Sequence, residues 1–222
     1  KGNREIDEAS DTYDAIEWLV KNLPGNNGRV GVFGISYPGF YATMAAASNH
    51  PALVAVSPQA PVTNWFIGDD FHHNGAFFLL DAFSFYPAMG AGFGLPRRAP
   101  TTKAPLTVDV TDHDNYKFFL EAGSLASLAK MVGDSVKFWK DLYNHPDYDD
   151  WWKARDARNA TINLKPAMLW VGGHFDAEDN WGAWNAYKAA EENNPGKEFN
   201  KLVMGPWYHT QWAGKDGTHL GN

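Results

Sequence analysis

Apolar residues fall along this chain in two textures. In ASDTYDAIEWLVKN (9–22), Tyr13, Ile16 and Val20 recur every three or four residues, the period of one helical face. Ser10 or Asp11 is placed to cap the start of that helix, and Pro24-Gly25 to end it. RVGVFGI (29–35) is apolar without alternation, which predicts a short strand buried on both faces. YPGFYATMAAASN (37–49) predicts a small-residue helix suited to close packing on a sheet, and LVAVSPQAP (53–61) another strand. Strand, helix and strand in this spacing predict a parallel α/β sheet. From 71 to 160 the pattern changes: Val136, Trp139, Lys140 and Tyr143 stand at helical spacing in GDSVKFWKDLYNH, while Gly and Pro break the pattern in MGAGFGLPRRAP (89–100). No alternating strand stands out there, so the segment reads as a mainly helical insertion. The α/β texture returns with KPAMLWVGG (165–173) and KLVMGP (201–206) as strands around a helix in WGAWNAYKAAEENN (181–194). The expected organisation is an α/β core in two parts, 1–70 and 161–222, interrupted by a helical cap at 71–160.

Composition narrows the function. The 222 residues are 44% hydrophobic, with 10 Trp and 14 Phe, enough for a sizeable core walled by aromatics. A net charge of −7 without a basic patch disfavours a nucleic-acid partner. No stretch approaches the ~18–20 apolar residues of a membrane helix. The absence of cysteine removes disulfides, zinc–thiolate sites and a cysteine nucleophile. The chain starts at Lys1 without a signal-like segment.

One hydroxyl sits where chemistry would want it. In GVFGISYPGF (31–40), Ser36 ends the predicted strand between Gly34 and Gly39, and a helix follows. A serine on such a turn is the nucleophile arrangement of α/β hydrolases: close backbones demand small flanking residues, and the helix N-terminus stabilises negative charge. The spacing is G-x-S-Y-x-G, with Pro38 in the first helical turn, where its missing N–H costs no hydrogen bond. Read alone, Ser36 is equally a loop serine between two elements. That fold further requires an acid and then a histidine, each after a later strand. Asp176 in GGHFDAED and His209 in GPWYHT meet both the order and the context. His209 would take the Ser36 proton, and Asp176 would fix its tautomer. The remaining histidines, His50, His72, His73, His113, His145, His174 and His219, lack the strand-end placement and read as surface or satisfied core groups.

GISYPG, DDFHHNGAF, DAEDNWGAW and GPWYH together resemble the α-amino acid ester hydrolases, within the wider group of cocaine-esterase-like and X-Pro dipeptidyl peptidase serine hydrolases. The resemblance runs through nearly the whole chain. It implies an α/β-hydrolase fold with Ser36, Asp176 and His209 as the triad and the Tyr37 backbone N–H in the oxyanion hole. The family's second oxyanion donor, an upstream tyrosine, its first strands and its C-terminal β jelly roll have no counterpart here, so the sequence reads as an excerpt of a longer protein. The resemblance also implies a cluster of three carboxylates for the substrate's α-ammonium, at Asp70, Glu178 and Asp179, with Asp69 beside Asp70 left open. An ammonium that loses its hydration needs fixed negative charge and acceptors to offset the loss. Read alone, DAEDN is also a solvated acidic cap for the helix at Trp181, or an oxygen-rich calcium loop, though it lacks the ligand spacing and glycine of an EF-hand. Trp65, Phe66, Phe71, Phe77, Phe78, Trp181 and Tyr208 could line an acyl pocket, although core packing accounts for most such aromatics.

The expected activity is acyl transfer through an aminoacyl-enzyme on small-molecule esters and amides of α-amino acids, with β-lactam amines as acceptors and no metal or organic cofactor. The alternatives are another hydrolase of the group (X-Pro dipeptidyl peptidase, glutaryl-cephalosporin acylase or cocaine-esterase-like carboxylesterase), or a binding fragment without activity. An acylase for an anionic side chain would want Arg or Lys where Asp70, Glu178 and Asp179 stand. The resemblance further implies a periplasmic or secreted protein and an assembly of identical copies.

Overall fold

The computed structural model describes residues 7–83, 114–132 and 137–214; His113, Val136, His219 and the segment 89–100 lie outside them. In chain order the elements begin with α1 (Glu8–Asn22), β1 (Val30–Ile35), α2 (Tyr37–Ala47) and β2 (Leu53–Gln59). There follow the short strands β3 (His72–His73) and β4 (Ala76–Phe77) and the helices α3 (Leu79–Phe83), α4 (Asn115–Ala122), α5 (Leu125–Val132), α6 (Lys137–Asn144) and α7 (Asp150–Ala154). The chain ends with β5 (Ala167–Gly173), α8 (Asn180–Asn193) and β6 (Asn200–Gly205), and short 3-10 turns lie at Ala157–Thr161 and Gln211–Ala213. Two compact units result, Lys1–Asp69 with Arg155–Asn222, and Asp70–Ala154.

The first unit is built on a four-stranded, all-parallel sheet in the order β1-β2-β5-β6. Parallel neighbours need crossovers, and helices supply them, as the alternation of textures predicts. The α1 cap differs from the expectation. Asp7, not Ser10 or Asp11, is the N-cap: its carboxylate accepts from Ser10 N–H at 2.8 Å, and Ser10 Oγ accepts from Asp7 N–H at 2.9 Å. Ser10 is thus the third residue of a reciprocal capping box.

Ile16 of α1, Ala42 and Ala46 of α2, and Ala186 and Ala190 of α8 pack on Val56, Met168 and Trp170 of the sheet in one buried cluster. The alanines let helix and sheet approach closely. His50, buried at 4% exposure, is satisfied by Glu17 on one ring nitrogen and by Ala52 N–H on the other. The opposite sheet face is open. Phe33 is 75% exposed, and Leu169 and Val203 are each 42% exposed. This corrects the expectation that β1 is buried on both faces; its glycines and valines are apolar, but one side has nothing over it among the described residues.

The second unit is mostly helical, with one correction: β3 and β4 form a small antiparallel hairpin. Its turn is Asn74-Gly75, both at positive φ (49° and 83°), the geometry that favours this residue pair. Phe83, Trp139, Leu128, Leu142 and Trp152 are buried within the unit, and Phe83 meets Trp139 edge-on at 5.6 Å. His72 is a core group, packed edge-on against Trp152 at 5.2 Å. No helix among the described residues is long and apolar enough to cross a membrane.

Candidate active site

Ser36 sits at the C-terminal end of β1 with φ 67° and ψ −128°, a conformation that costs a non-glycine residue about 1–3 kcal/mol. The surroundings enforce it. Ser36 N–H donates to Gln59 carbonyl at 2.9 Å, which ties the turn to the end of β2, and Gly39 N–H donates back to Ser36 carbonyl at 2.8 Å. A Cβ on Gly34 would stand 2.2 Å from Pro38 carbonyl, and one on Gly39 2.5 Å from Gln59 carbonyl and 2.9 Å from Pro61 Cα. The two glycines are what allow strand, serine and helix to fold back on one another. Tyr37 opens α2, Pro38 follows in its first turn, and the Tyr37 ring stacks on Trp65. Gly39→Ala is expected to destabilise the fold by about 3 kcal/mol, since both clashing atoms are backbone. A fall in the denaturation midpoint at unchanged m-value would register it.

Asp176 and His209 follow β5 and β6. The Asp176 side chain is fully buried and carries three interactions. Its Oδ1 accepts from Glu178 N–H and Asp179 N–H, both at 2.9 Å, and its Oδ2 faces His209 Nδ1 at 2.8 Å. Burial pushes the Asp176 carboxyl up, but His209 and the two amides outweigh it and hold the group below the ordinary carboxylate range. An ionised carboxylate only accepts, so His209 Nδ1 is the donor and Nε2 is left to take a proton.

Two further acids close on the same imidazole. Glu178 Oε2 lies 3.6 Å from His209 Nε2, and Asp179 Oδ2 3.9 Å from Nδ1. Asp179 is fully buried, while the Glu178 side chain is 54% exposed. One ligand atom from each of Glu178, Asp179 and His209 lies within 4.8 Å of the others. That convergence concentrates negative charge around the His209 imidazole.

β1 and β6 are opposite edges of the sheet, and the chain after β6 turns back to the end of β2. Trp212 Nε1 donates to Gln59 Oε1 at 2.8 Å. Gln59 therefore holds the Ser36 turn by its main chain and the His209 segment by its side chain. The contacts bring together Asp176, His209, Glu178 and Asp179, and Gln59 ties the Ser36 turn to Trp212, three residues beyond His209. Sequence reasoning missed Gln59 and Trp212, since a glutamine at a strand end carries no chemical signal of its own.

The fold distinguishes Asp69 from Asp70, which the sequence leaves open. Asp69 is fully buried and accepts from Thr63 N–H (2.9 Å), Asn64 N–H (2.8 Å) and Gly182 N–H (2.7 Å). It fastens the loop after β2 to the first turn of α8, where an anion suits the helix terminus, and both its oxygens are engaged by backbone. It is a structural anchor. Asp70 opens the second unit, half-buried at φ 52°. His174, expected to lack strand-end placement, directly follows β5; its exposed ring leans on Trp184 at 6.1 Å. Of the candidate pocket aromatics, Phe66 and Phe71 are core, Trp181 packs beneath Arg158, and Tyr208 is 57% exposed.

A parallel sheet carrying a serine on a strained strand-to-helix turn, with an aspartate–histidine pair after its last two strands, is the α/β-hydrolase fold. The chain belongs to the X-Pro dipeptidyl-peptidase (S15) family, whose model matches residues 1–211. It is 36% identical to a solved aminopeptidase from the marine sediment archaeon Thaumarchaeota archaeon, with a TM-score of 0.82 over 94% of this chain and 33% of that one. A solved α-amino acid ester hydrolase is also 36% identical, with a TM-score of 0.78 over 93% of this chain and 33% of that one. Cocaine esterase of Rhodococcus sp. (strain MB1 Bresler) is 23% identical over 218 residues, 95% of this chain and 36% of its own. The chain thus spans about a third of the length of these relatives.

Proposed function

We propose that this chain carries the catalytic serine, its base and its amine-recognition site in a hydrolase that cleaves esters and amides of α-amino acids bearing a free α-amine. Ser36 Oγ attacks the carbonyl carbon as its proton passes to His209 Nε2, and Asp176 stabilises the resulting imidazolium. The Tyr37 N–H, at the start of α2, donates to the oxyanion. The imidazolium then protonates the departing alcohol or amine, leaving an aminoacyl-enzyme on Ser36. Water deacylates it, or an amine such as a β-lactam nucleus accepts the acyl group. Glu178 and Asp179 receive the substrate ammonium; Asp69, whose carboxylate is engaged by three backbone amides, does not.

The observation that carries this reading is the placement of Glu178 and Asp179 against the imidazole of the Asp176–His209 pair. A neutral substrate would leave that charge without a counter-ion at the moment of desolvation, so the site selects for a cationic nitrogen by penalising its absence. Phenylglycine methyl ester should accordingly be cleaved with a kcat/KM about a hundredfold above methyl phenylacetate, and Glu178→Gln should cut that ratio about tenfold. Equal rates on the two esters would end the ammonium assignment.

A second reading, an aminopeptidase, is favoured by the 36% identity to the archaeal aminopeptidase and by the family itself. It uses the same triad and the same amine seat and differs in the leaving group. Relative rates on phenylglycine methyl ester and an Ala-Pro anilide separate the two.

A further inference from the structure

We infer that Asp69 acts as a remote N-cap for α8, taking over the task of that helix's own cap residue, Asp179, and so holding the Asp179 carboxylate on the active-site side. Asp69 is then a positioning residue for amine selectivity that acts through Asp179. The inference rests on the ammonium seat proposed above and concerns what aims that seat.

Other aspartates in this protein cap their own helices in the ordinary way. Asp7 before α1 and Asp114 before α4 stand in extended backbone and accept from the N–H three residues on, at 2.8 Å and 3.1 Å. Asp156 accepts from Arg158 N–H at 3.0 Å at the start of the 3-10 turn Ala157–Thr161. Asp179 precedes α8 yet makes no capping hydrogen bond. Its φ of −123° and ψ of 29° lie outside the extended region from which a cap side chain reaches its helix. Its Oδ2 stands 3.9 Å from His209 Nδ1 instead. The N–H that Asp179 would ordinarily serve, that of Gly182 in the first turn of α8, goes to Asp69 Oδ1 at 2.7 Å, across 113 residues of sequence. Gly182 permits the approach: a Cβ there would lie 2.1 Å from the Pro61 carbonyl oxygen and 2.9 Å from Asp69 Oδ2.

A first-turn N–H in a buried helix end demands an acceptor, and the helix dipole favours an anionic one. Asp69 is fully buried, and its Oδ2 is tied to Thr63 N–H and Asn64 N–H, so its Oδ1 is fixed at Gly182. Without that acceptor, the residue placed to serve Gly182 N–H is Asp179 itself. Taking up that role means rotating its ψ toward the extended region, which draws the carboxylate from His209 to the helix. Asp69 and Asp179 therefore divide two tasks between them: one satisfies the helix and the other faces the imidazole.

Asp69→Asn is the selective test. The two amides at Oδ2 require the asparagine carbonyl, so its NH2 faces Gly182 N–H and the helix cap alone is lost. kcat/KM for phenylglycine methyl ester should fall about tenfold, mainly through KM, while that for methyl phenylacetate changes by less than about twofold. Both esters are read on the same sample, so any loss of folded protein cancels in their ratio. Asp179→Asn should lower the ratio as well, and adding Asp69→Asn to it should lower it no further. Equal losses on the two esters overturn the inference and leave Asp69 a scaffold residue. Losses that multiply in the double variant overturn it too, by placing Asp69 against the amine directly. A second measurement does not require Asp69→Asn to fold. In Asp179→Ala, hydrogen exchange at Gly182 N–H, taken relative to amides in the middle of α8, should stay within about twofold of wild type; exchange about tenfold faster would make Asp179 the cap and end the inference. If wild type does not distinguish the two esters, the seat falls and the inference with it. If Asp179→Asn abolishes the amine preference and Asp69→Asn leaves it intact, the seat stands and only the remote cap falls.

Discussion

Ser36→Ala is expected to lower ester hydrolysis by about a million-fold, the size of loss seen when a serine nucleophile is removed from an otherwise intact triad. The loss should be chemical. Ser36 occupies the N-cap of α2, yet its side chain makes no capping hydrogen bond, so alanine gives up no helix-stabilising contact and keeps the same Cβ. Thermal stability should move little while turnover and labelling by a fluorophosphonate both vanish. The companion change is more telling. At φ 67° glycine is relieved of a strain that serine and alanine share, so Ser36→Gly should be as inactive as Ser36→Ala and yet more stable by about 1 kcal/mol, the relief outweighing glycine's greater unfolded-state entropy. A residue that stabilises the protein when removed is kept for another reason, and in the proposed mechanism that reason is the hydroxyl. Full activity in Ser36→Ala would remove the nucleophile and the mechanism together.

The parts of this arrangement that could be read from sequence are those in which residue type is dictated locally. Gly34 and Gly39 are legible because no other residue fits within 2.5 Å of a neighbouring carbonyl. Strands β1, β2, β5 and β6 are legible as apolar runs, and α8 as a repeat of alanines facing the sheet, with ends within one or two residues of expectation. Exposure of Phe33 was not legible, because an apolar run states that a strand dislikes water without stating which of its faces something covers. The β3–β4 hairpin was missed although Asn74-Gly75 is a strong turn signal, since two-residue arms have no room to show alternation.

Within the site, what sequence could not supply was partner choice. Asp69 and Asp70 are chemically identical neighbours. Only the fold assigns the first to three backbone amides, one of them 113 residues away, because the direction of each side chain is set by backbone angles that the sequence does not print. The α1 cap illustrates the same limit at short range: Asp7, Ser10 and Asp11 are all good caps, and the reciprocal pair Asp7–Ser10 wins because it satisfies two groups at once. The family resemblance implies Glu178 as an amine ligand, yet its approach to His209 Nε2 depends on the turn that Asp176 Oδ1 builds with the Glu178 and Asp179 amides.

That turn makes Asp176→Asn the sharper of the two largest perturbations. The two backbone N–H groups at Oδ1 demand an acceptor, so the asparagine carbonyl must keep that side and the NH2 must face His209. Facing a donor, Nδ1 has to accept, which places the imidazole proton on Nε2, where it can no longer take one from Ser36. The backbone around the triad should stay in place while kcat falls about ten-thousandfold near neutral pH. Stability carries its own signature. Asp176 is held below the ordinary carboxylate range, so its charged form stabilises the fold above that range and loses the contribution as pH falls through the lowered value. The difference in stability between wild type and Asp176→Asn should therefore be full at neutral pH and shrink below about pH 4. Asp179 supplies the decisive control. Its Oδ2 is 3.9 Å from Nδ1 and fully buried, close enough to compete for the orienting role. If Asp176→Asn costs less than tenfold while Asp179→Asn costs the ten-thousandfold, the aspartate that fixes the histidine is the one three residues further along, and the hydrogen bond from His209 to Asp176 belongs to the scaffold.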